Sequence, residues 1–296
     1  MLKIILSFLL VSSISGVYNP RIDFSHIKAG GLSPVRVNPE NIGVKVSSDK
    51  FIAVDVGTGK VLLQKGGNER QAVASITKLM TALVILEENP DWYDKVTMSK
   101  SDETVGAQPH IYRGEQVRFI DLWKASLVCS DNNSIMAMIR HLNFDLDEFV
   151  KKMNLKAKEL KMHKSHFADP TGLNKNNLST VTDISKLLSA ALRKNEIKES
   201  VMQSKYVFDI LNSFKTRKIY NTDILIDSFL NNKRYGYELI GGKTGFLPEA
   251  GYCLATKIAY DHRPIIIVVL NSATIESRFQ DVKVIADWIY HNYVWQ

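Results

Sequence analysis

Within the apolar stretch ASITKLM, a serine and a lysine stand three residues apart, Ser75 and Lys78. On a helix, positions i and i+3 share one face, so the lysine amine lies beside the hydroxyl. A serine hydroxyl is a weak nucleophile until a neighbouring base takes its proton. A lysine desolvated by apolar neighbours loses its charge more readily and can be that base. A surface lysine near a helix start would have the same spacing, and S-x-x-K recurs by chance, so the pair alone assigns nothing. Two more clusters carry polar groups where elements change. CSDNNS sets Ser130, Asp131 and Asn132 just ahead of a helical run, where Asn132 serves equally well as a helix cap. GGKTGF closes a strand-like run with Lys243, Thr244 and Gly245. A solvated strand-end lysine is the plain alternative there, but Gly241, Gly242 and Gly245 around it argue for close approach of another backbone.

These residues need elements to hold them. FIAVDVGTGKVLLQK reads as two short strands around a turn at Gly57 to Gly59. Ile76, Leu79, Met80 and Leu83 then recur with helical period, a buried stripe that puts Ser75 and Lys78 in the first turn of a helix. From about Asp121 to Leu192 the pattern is mostly helical. DLDEFVKKMNLKAKELKM carries acids early and lysines late, as the helix dipole favours. VTDISKLLSAALRK predicts another helix with Thr182 or Asp183 near its cap. YELIGGKTG, GYCLATKIAY and RPIIIVVLNS read as strands, and a closing helix puts Val282, Ile285 and Ile289 on one face. Strands at both ends around a helical middle predict an α+β fold, one sheet built from the two chain ends with a mainly helical subdomain inserted. Asp169 to Gly172 is expected to turn near the site, and Asn221 to be a candidate lining residue.

A chain of 296 residues that is 45% hydrophobic holds one large domain or two closely packed subdomains, and global disorder is excluded. Its net charge of +7 is spread over scattered lysines and arginines, with no basic run interleaved with aromatics, so no nucleic-acid partner is expected. A mild positive balance does suit an anionic cell-envelope polymer. The start, MLKIILSFLLVSSISGVYNP, has Lys3, a short apolar stretch from Ile4 to Val11, and small residues before Gly16. Residues 1–15 are therefore expected to be a secretion signal cut near Ser15, too short to be a stable membrane anchor. Residues 16–50, with Pro20, Gly30, Gly31, Pro34 and Pro39, are expected to be a linker or a surface wrap. Cys129 and Cys253 are the only cysteines and read as buried free thiols. His163 and His166 have no companion ligands, so neither metal nor cofactor is expected.

S-x-x-K, S-D-N and K-T-G, in this order on helix, loop and strand, resemble the low-molecular-weight penicillin-binding proteins. That family comprises serine D-alanyl-D-alanine carboxypeptidases and endopeptidases. The resemblance extends from about Phe51 to the C-terminus. VASITKLMTALVILEE is similar to the family's nucleophile helix, FADPTGLNKNNLSTVTDISKLL to its segment after the helical region, and GGKTGFLPEAGYCLA to its third motif and following hairpin. It implies a β-lactamase/transpeptidase-like fold with an antiparallel sheet over residues 51–296, acting on peptidoglycan stem peptides and acylated by β-lactams. It also implies roles: Ser75 as nucleophile, Lys78 as its base, Ser130 as proton relay, and Asn132 on the substrate backbone. Lys243 and Thr244 would engage a terminal carboxylate. Phe246 would give an oxyanion-hole N–H with that of Ser75, and Gly245 would admit the substrate strand. Asn133 and Ser134 follow Asn132 where many members have Asp-Ala, which leaves room for an endopeptidase. A class A β-lactamase is the other reading, but no E-x-x-L-N arrangement lies between Ser130 and Lys243. An inert cell-wall or β-lactam sensor sits poorly with three intact motifs. The chain is further expected to lack a β-rich second domain, and to act in the periplasm or cell envelope.

Overall fold

The run from Ile265 to Leu270 shows no alternation of apolar and polar residues because both of its faces are covered. Ile266, Val268 and Leu270 enter one core, while Ile265, Ile267 and Val269 enter the other. The computed structural model describes residue 22 and residues 33–41, 43–105 and 109–296. The expected secretion signal and, Ile22 apart, the wrap before residue 33 lie outside the described residues.

In chain order, β1 (Pro34–Arg36) is followed by the hairpin β2 (Lys50–Asp55) and β3 (Val61–Lys65). The short β4 (Gln71–Ala72) and a 3-10 turn (Ala74–Ile76) lead into α1 (Thr77–Glu87). The ribbon β5 (Lys95–Thr97) and β6 (Gln116–Arg118) precedes α2 (Phe119–Val128), α3 (Asn132–His141) and α4 (Leu146–Glu159). Then come β7 (Leu178–Ser179), α5 (Val181–Ala191), α6 (Asn195–Val201) and the ribbon β8 (Lys205–Asp209) and β9 (Thr216–Tyr220). The chain closes with β10 (Tyr237–Leu247), β11 (Gly251–Tyr260), β12 (Arg263–Ser272), α7 (Ser277–Asn292) and β13 (Tyr293–Trp295).

The central sheet has the order β10-β11-β12-β2-β3, antiparallel throughout. It joins residues from both chain ends, as the strand signals predict, and leaves β10 as a free edge facing the helical region. Val282, Ile285 and Ile289 of α7 cover one face of it, and α1 and α5 belong to the core on the other. The expected helices form, with one shift. Thr180, not Thr182 or Asp183, caps α5, its hydroxyl accepting from the Asp183 N–H at 3.0 Å.

The described part of the wrap is fastened to the C-terminal elements. Pro34 to Arg36 pairs with Tyr293 to Trp295, adding a strand that a proline-broken stretch did not signal. The buried Asp281 of α7 accepts from the Ser47 and Ser48 backbone N–H groups and from the Ser47 and Ser272 hydroxyls, all within 2.9 Å.

Candidate active site

The nucleophile candidate does not sit in an α-helix. Ser75 is the middle residue of the 3-10 turn, and Ala74 before it is held at φ +49°. That left-handed conformation is costly for alanine and persists only where the surroundings fix it. Two glycines do so. A Cβ on Gly172 would sit on the Ala74 carbonyl, and one on Gly245 would lie 3.0 Å from the Val73 carbonyl oxygen and 3.1 Å from the Ser75 nitrogen. The missing Gly245 side chain thus makes room for the enzyme's own nucleophile turn.

Lys78 follows on the first turn of α1, wholly buried, and its Nζ lies 2.9 Å from Ser75 Oγ, as the i and i+3 spacing predicts. Two fixed acceptors share the same nitrogen: Asn132 Oδ1 at 2.5 Å and the Thr171 carbonyl at 2.6 Å. A neutral amine has two N–H bonds and one lone pair. If both N–H bonds go to those oxygens, the lone pair is left pointing at the serine hydroxyl. Burial pushes the Lys78 pKa down to about 8, against the opposing pull of Asp169 and Asp131. Cys129 stays out of this chemistry, its thiol pushed up to about 12 by burial. Both cysteines are free and buried.

The Thr171 carbonyl comes from the turn expected at Asp169 to Gly172. Asp169 accepts from the backbone N–H groups of Thr171 and Gly172, and from the Asn177 amide. Thr81 of α1 donates to the Pro170 carbonyl at 2.6 Å, clamping the turn to the helix that bears Lys78.

Ser130 stands between α2 and α3 at φ +65°, a second left-handed non-glycine residue in the site. The cap of α3 is Asp131, which accepts from the Ser134 N–H at 2.7 Å. Asn132 is thereby freed from capping, and its side chain turns to Lys78. The departure at Asn133 has a structural use: its Oδ1 accepts from both the N–H and the hydroxyl of Thr104 at 2.9 Å. Lys243, buried on β10, donates to Ser130 Oγ at 3.0 Å and to the Thr244 carbonyl at 3.2 Å. Burial, then repulsion from Lys78 and Arg278, holds its pKa well below the usual lysine value. The two ammonium groups thus oppose each other's protonation.

Ser75, Ser130 and Asn132 open onto one cavity of about 360 Å³, lined also by Thr244, Phe246 and Arg278, while Lys78 and Lys243 are buried and do not line it. Among the described residues, no carboxylate lines it. Phe246 stacks on Tyr252, centroids 4.4 Å apart, and stays half exposed at the rim. Sequence reasoning missed Arg278, whose Nη1 donates to the Gly245 carbonyl while its buried Nε has no partner among the described residues. It also missed Thr222, whose hydroxyl is 2.6 Å from that of Thr244. Nothing local marks either residue. Asn221 does not line the cavity; its amide ties down the Val201 and Gln203 carbonyls.

Comparisons with known proteins identify the family. The family model for D-alanyl-D-alanine carboxypeptidases matches residues 35–274. A D-alanyl-D-alanine endopeptidase of Pseudomonas aeruginosa is 30% identical over 83% of this chain and 78% of its own. The D-alanyl-D-alanine carboxypeptidase DacF of Bacillus subtilis is 31% identical over 82% of this chain and 62% of its own. Among solved structures, the Streptomyces K15 DD-transpeptidase superposes with a TM-score of 0.76 at 27% identity, covering 84% of this chain and 99% of that one. The chain belongs to the D-alanyl-D-alanine carboxypeptidase family of serine peptidases, the low-molecular-weight penicillin-binding proteins.

Proposed function

We propose that Ser75 attacks the carbonyl of the penultimate D-alanine of a peptidoglycan stem peptide and is acylated by it. One observation carries this reading: the Lys78 amine touches Ser75 Oγ while Asn132 and Thr171 offer acceptors for both of its N–H bonds. Neutral Lys78 takes the serine proton as the tetrahedral adduct forms. The Ser75 and Phe246 backbone N–H groups receive the developing oxyanion, donors aimed where charge appears in the transition state. Ser130, held by Lys243, passes a proton to the departing amine. Asn132 fixes the substrate amide, and Lys243, Thr244 and the guanidinium of Arg278 meet the terminal carboxylate. Water then hydrolyses the ester. The product is a stem peptide shortened by D-alanine or, where the leaving amine belongs to a neighbouring stem, an opened cross-link. β-Lactams would acylate Ser75 in the same way.

A cell-wall substrate puts the action of this family outside the cytoplasmic membrane, and residues 1–15 are proposed to export the chain to the cell envelope. The test is Ser75→Ala. It should abolish covalent labelling by fluorescent penicillin, and release of D-alanine from a pentapeptide muropeptide followed by mass spectrometry, with an unchanged melting temperature. Normal labelling of that variant would overturn the assignment of the nucleophile.

A further inference from the structure

A second cleft, of about 550 Å³, opens beside the first turns of α2, away from Ser75. Its wall is aromatic. Trp92 packs edge-on against Trp123 at 5.3 Å and Phe119 at 6.0 Å, yet its indole N–H has no partner among the described residues. Tyr93 beside it is 75% exposed. Trp123 is committed elsewhere, donating to Ser200 Oγ at 2.9 Å and so fastening α6 to α2. The loop carrying Trp92 is fixed as well. The Ile120 N–H donates to the Trp92 carbonyl at 2.9 Å, and the Phe119 N–H to that of Asp94 at 2.8 Å.

Of the polar groups around these rings, Asp121 and Tyr206 are bonded to each other, the Tyr206 hydroxyl donating to Asp121 Oδ1 at 2.7 Å. Lys124 is half-buried on α2, and Glu199 on α6 faces it, but neither makes a hydrogen bond or ion pair among the described residues. A fixed aromatic surface rimmed by unused donors and acceptors matches a sugar ring, which offers an apolar C–H face and a polar edge.

Its position says which sugar. Gly241, two residues ahead of Lys243, packs against Leu192 and Val201, and Val201 ends the α6 helix whose Glu196 and Glu199 line the cleft. Strand β10, which carries Lys243, therefore packs on the helix that walls the cleft, which puts the cleft within reach of the leaving group under the function proposed above, on which this inference rests. From Asp121 at the cleft to Val128 before Ser130, α2 rises about 10 Å. A leaving D-alanine carries nothing that could span this. An amine on a cross-linked stem carries two or three further residues, about 7–11 Å when extended, and then its own sugar.

We propose that this cleft binds an N-acetylated amino sugar of the glycan strand attached to the leaving amine. Cross-linked, sugar-bearing peptidoglycan is then the substrate held best. Two experiments test it. The β-1,4-linked tetramer of N-acetylglucosamine, titrated into the enzyme, should change tryptophan fluorescence saturably, and Lys124→Met, which keeps every tryptophan, should weaken that binding about tenfold. In hydrolysis of cross-linked dimers with and without their disaccharides, Trp92→Ala and Lys124→Met should raise KM about tenfold for the sugar-bearing dimer alone, with kcat within twofold. Equal KM values of the parent enzyme for the two dimers, without saturable sugar binding, would overturn the proposal. Penicillin acylation is run alongside. If it and sugar-free hydrolysis persist while the sugar changes nothing, this inference alone fails; if the parent is not acylated, the serine-peptidase reading fails too.

Discussion

If Lys78 takes the Ser75 proton, acylation must follow the fraction of Lys78 that is neutral. With burial holding its pKa at about 8, that fraction is about 9% at pH 7, half at pH 8 and about 91% at pH 9. The second-order rate constant for acylation should therefore rise about tenfold between pH 7 and pH 9 and level off above. The assay is stopped-flow acylation by a penicillin whose only ionising group is its carboxylate, at fixed ionic strength from pH 6 to pH 10. Lys78→Arg, charged throughout, should fall by about two to four orders of magnitude and lose the rise with pH. The same shift links stability to pH. The folded pKa lies below the unfolded value of 10.5, so the unfolded chain holds more protons between about pH 8 and 10.5, and stability should increase with pH across that window. A rate constant that stays flat between pH 7 and pH 9, or a Lys78→Arg variant within tenfold of the parent, would refute the base assignment.

Gly245→Ala should slow acylation at least about tenfold, because the added Cβ presses on the Val73 carbonyl, the Ala74 Cβ and the Ser75 nitrogen of the nucleophile turn. An unchanged rate would show that the nucleophile turn yields freely. Asp281→Ala strands four donors and should lower stability by at least about 2 kcal/mol in urea unfolding, leaving turnover per folded molecule unchanged. Loss of turnover without loss of stability would contradict this. Penicillin should leave a stoichiometric adduct on Ser75 that persists for minutes in intact-mass time courses, since among the described residues no carboxylate lines the cavity to activate water against it. Rapid multiple turnover of penicillin would favour the β-lactamase reading instead.

What could be read in advance was whatever is written locally. Ser75 and Lys78 are neighbours through helix geometry, and the glycines around Lys243 signalled a close backbone approach before its cause was visible. The strands and helices followed from periodicity for the same reason. The partners that tune the site are different in kind. Thr171 contributes a carbonyl, which every residue has, and reaches Lys78 across 93 positions of chain. Arg278 meets Gly245 across 33 positions, and its place on α7 looks like that of any helix arginine. The left-handed backbone of Ala74 and Ser130 contradicts local preference and exists only because distant segments impose it. For the same reason β1 was invisible, since its partner is the far end of the chain.

The order of strands in the central sheet also sets a timetable. β2 and β3 are made early, yet their neighbour β12 and the edge strand β10 come from the last quarter of the chain, with roughly 170 residues between Lys65 and Tyr237. At ordinary rates of synthesis that gap lasts on the order of ten to thirty seconds. Contacts so far apart in sequence also form slowly once the chain is complete. The nucleophile turn leans on Gly245 as well as on Gly172, so a nascent chain that stops short of β10 carries Ser75 and Lys78 without all the contacts that hold them in reacting geometry. Hydrolytic competence arrives only with the final strands, so an unfinished chain is inert without needing an inhibitor.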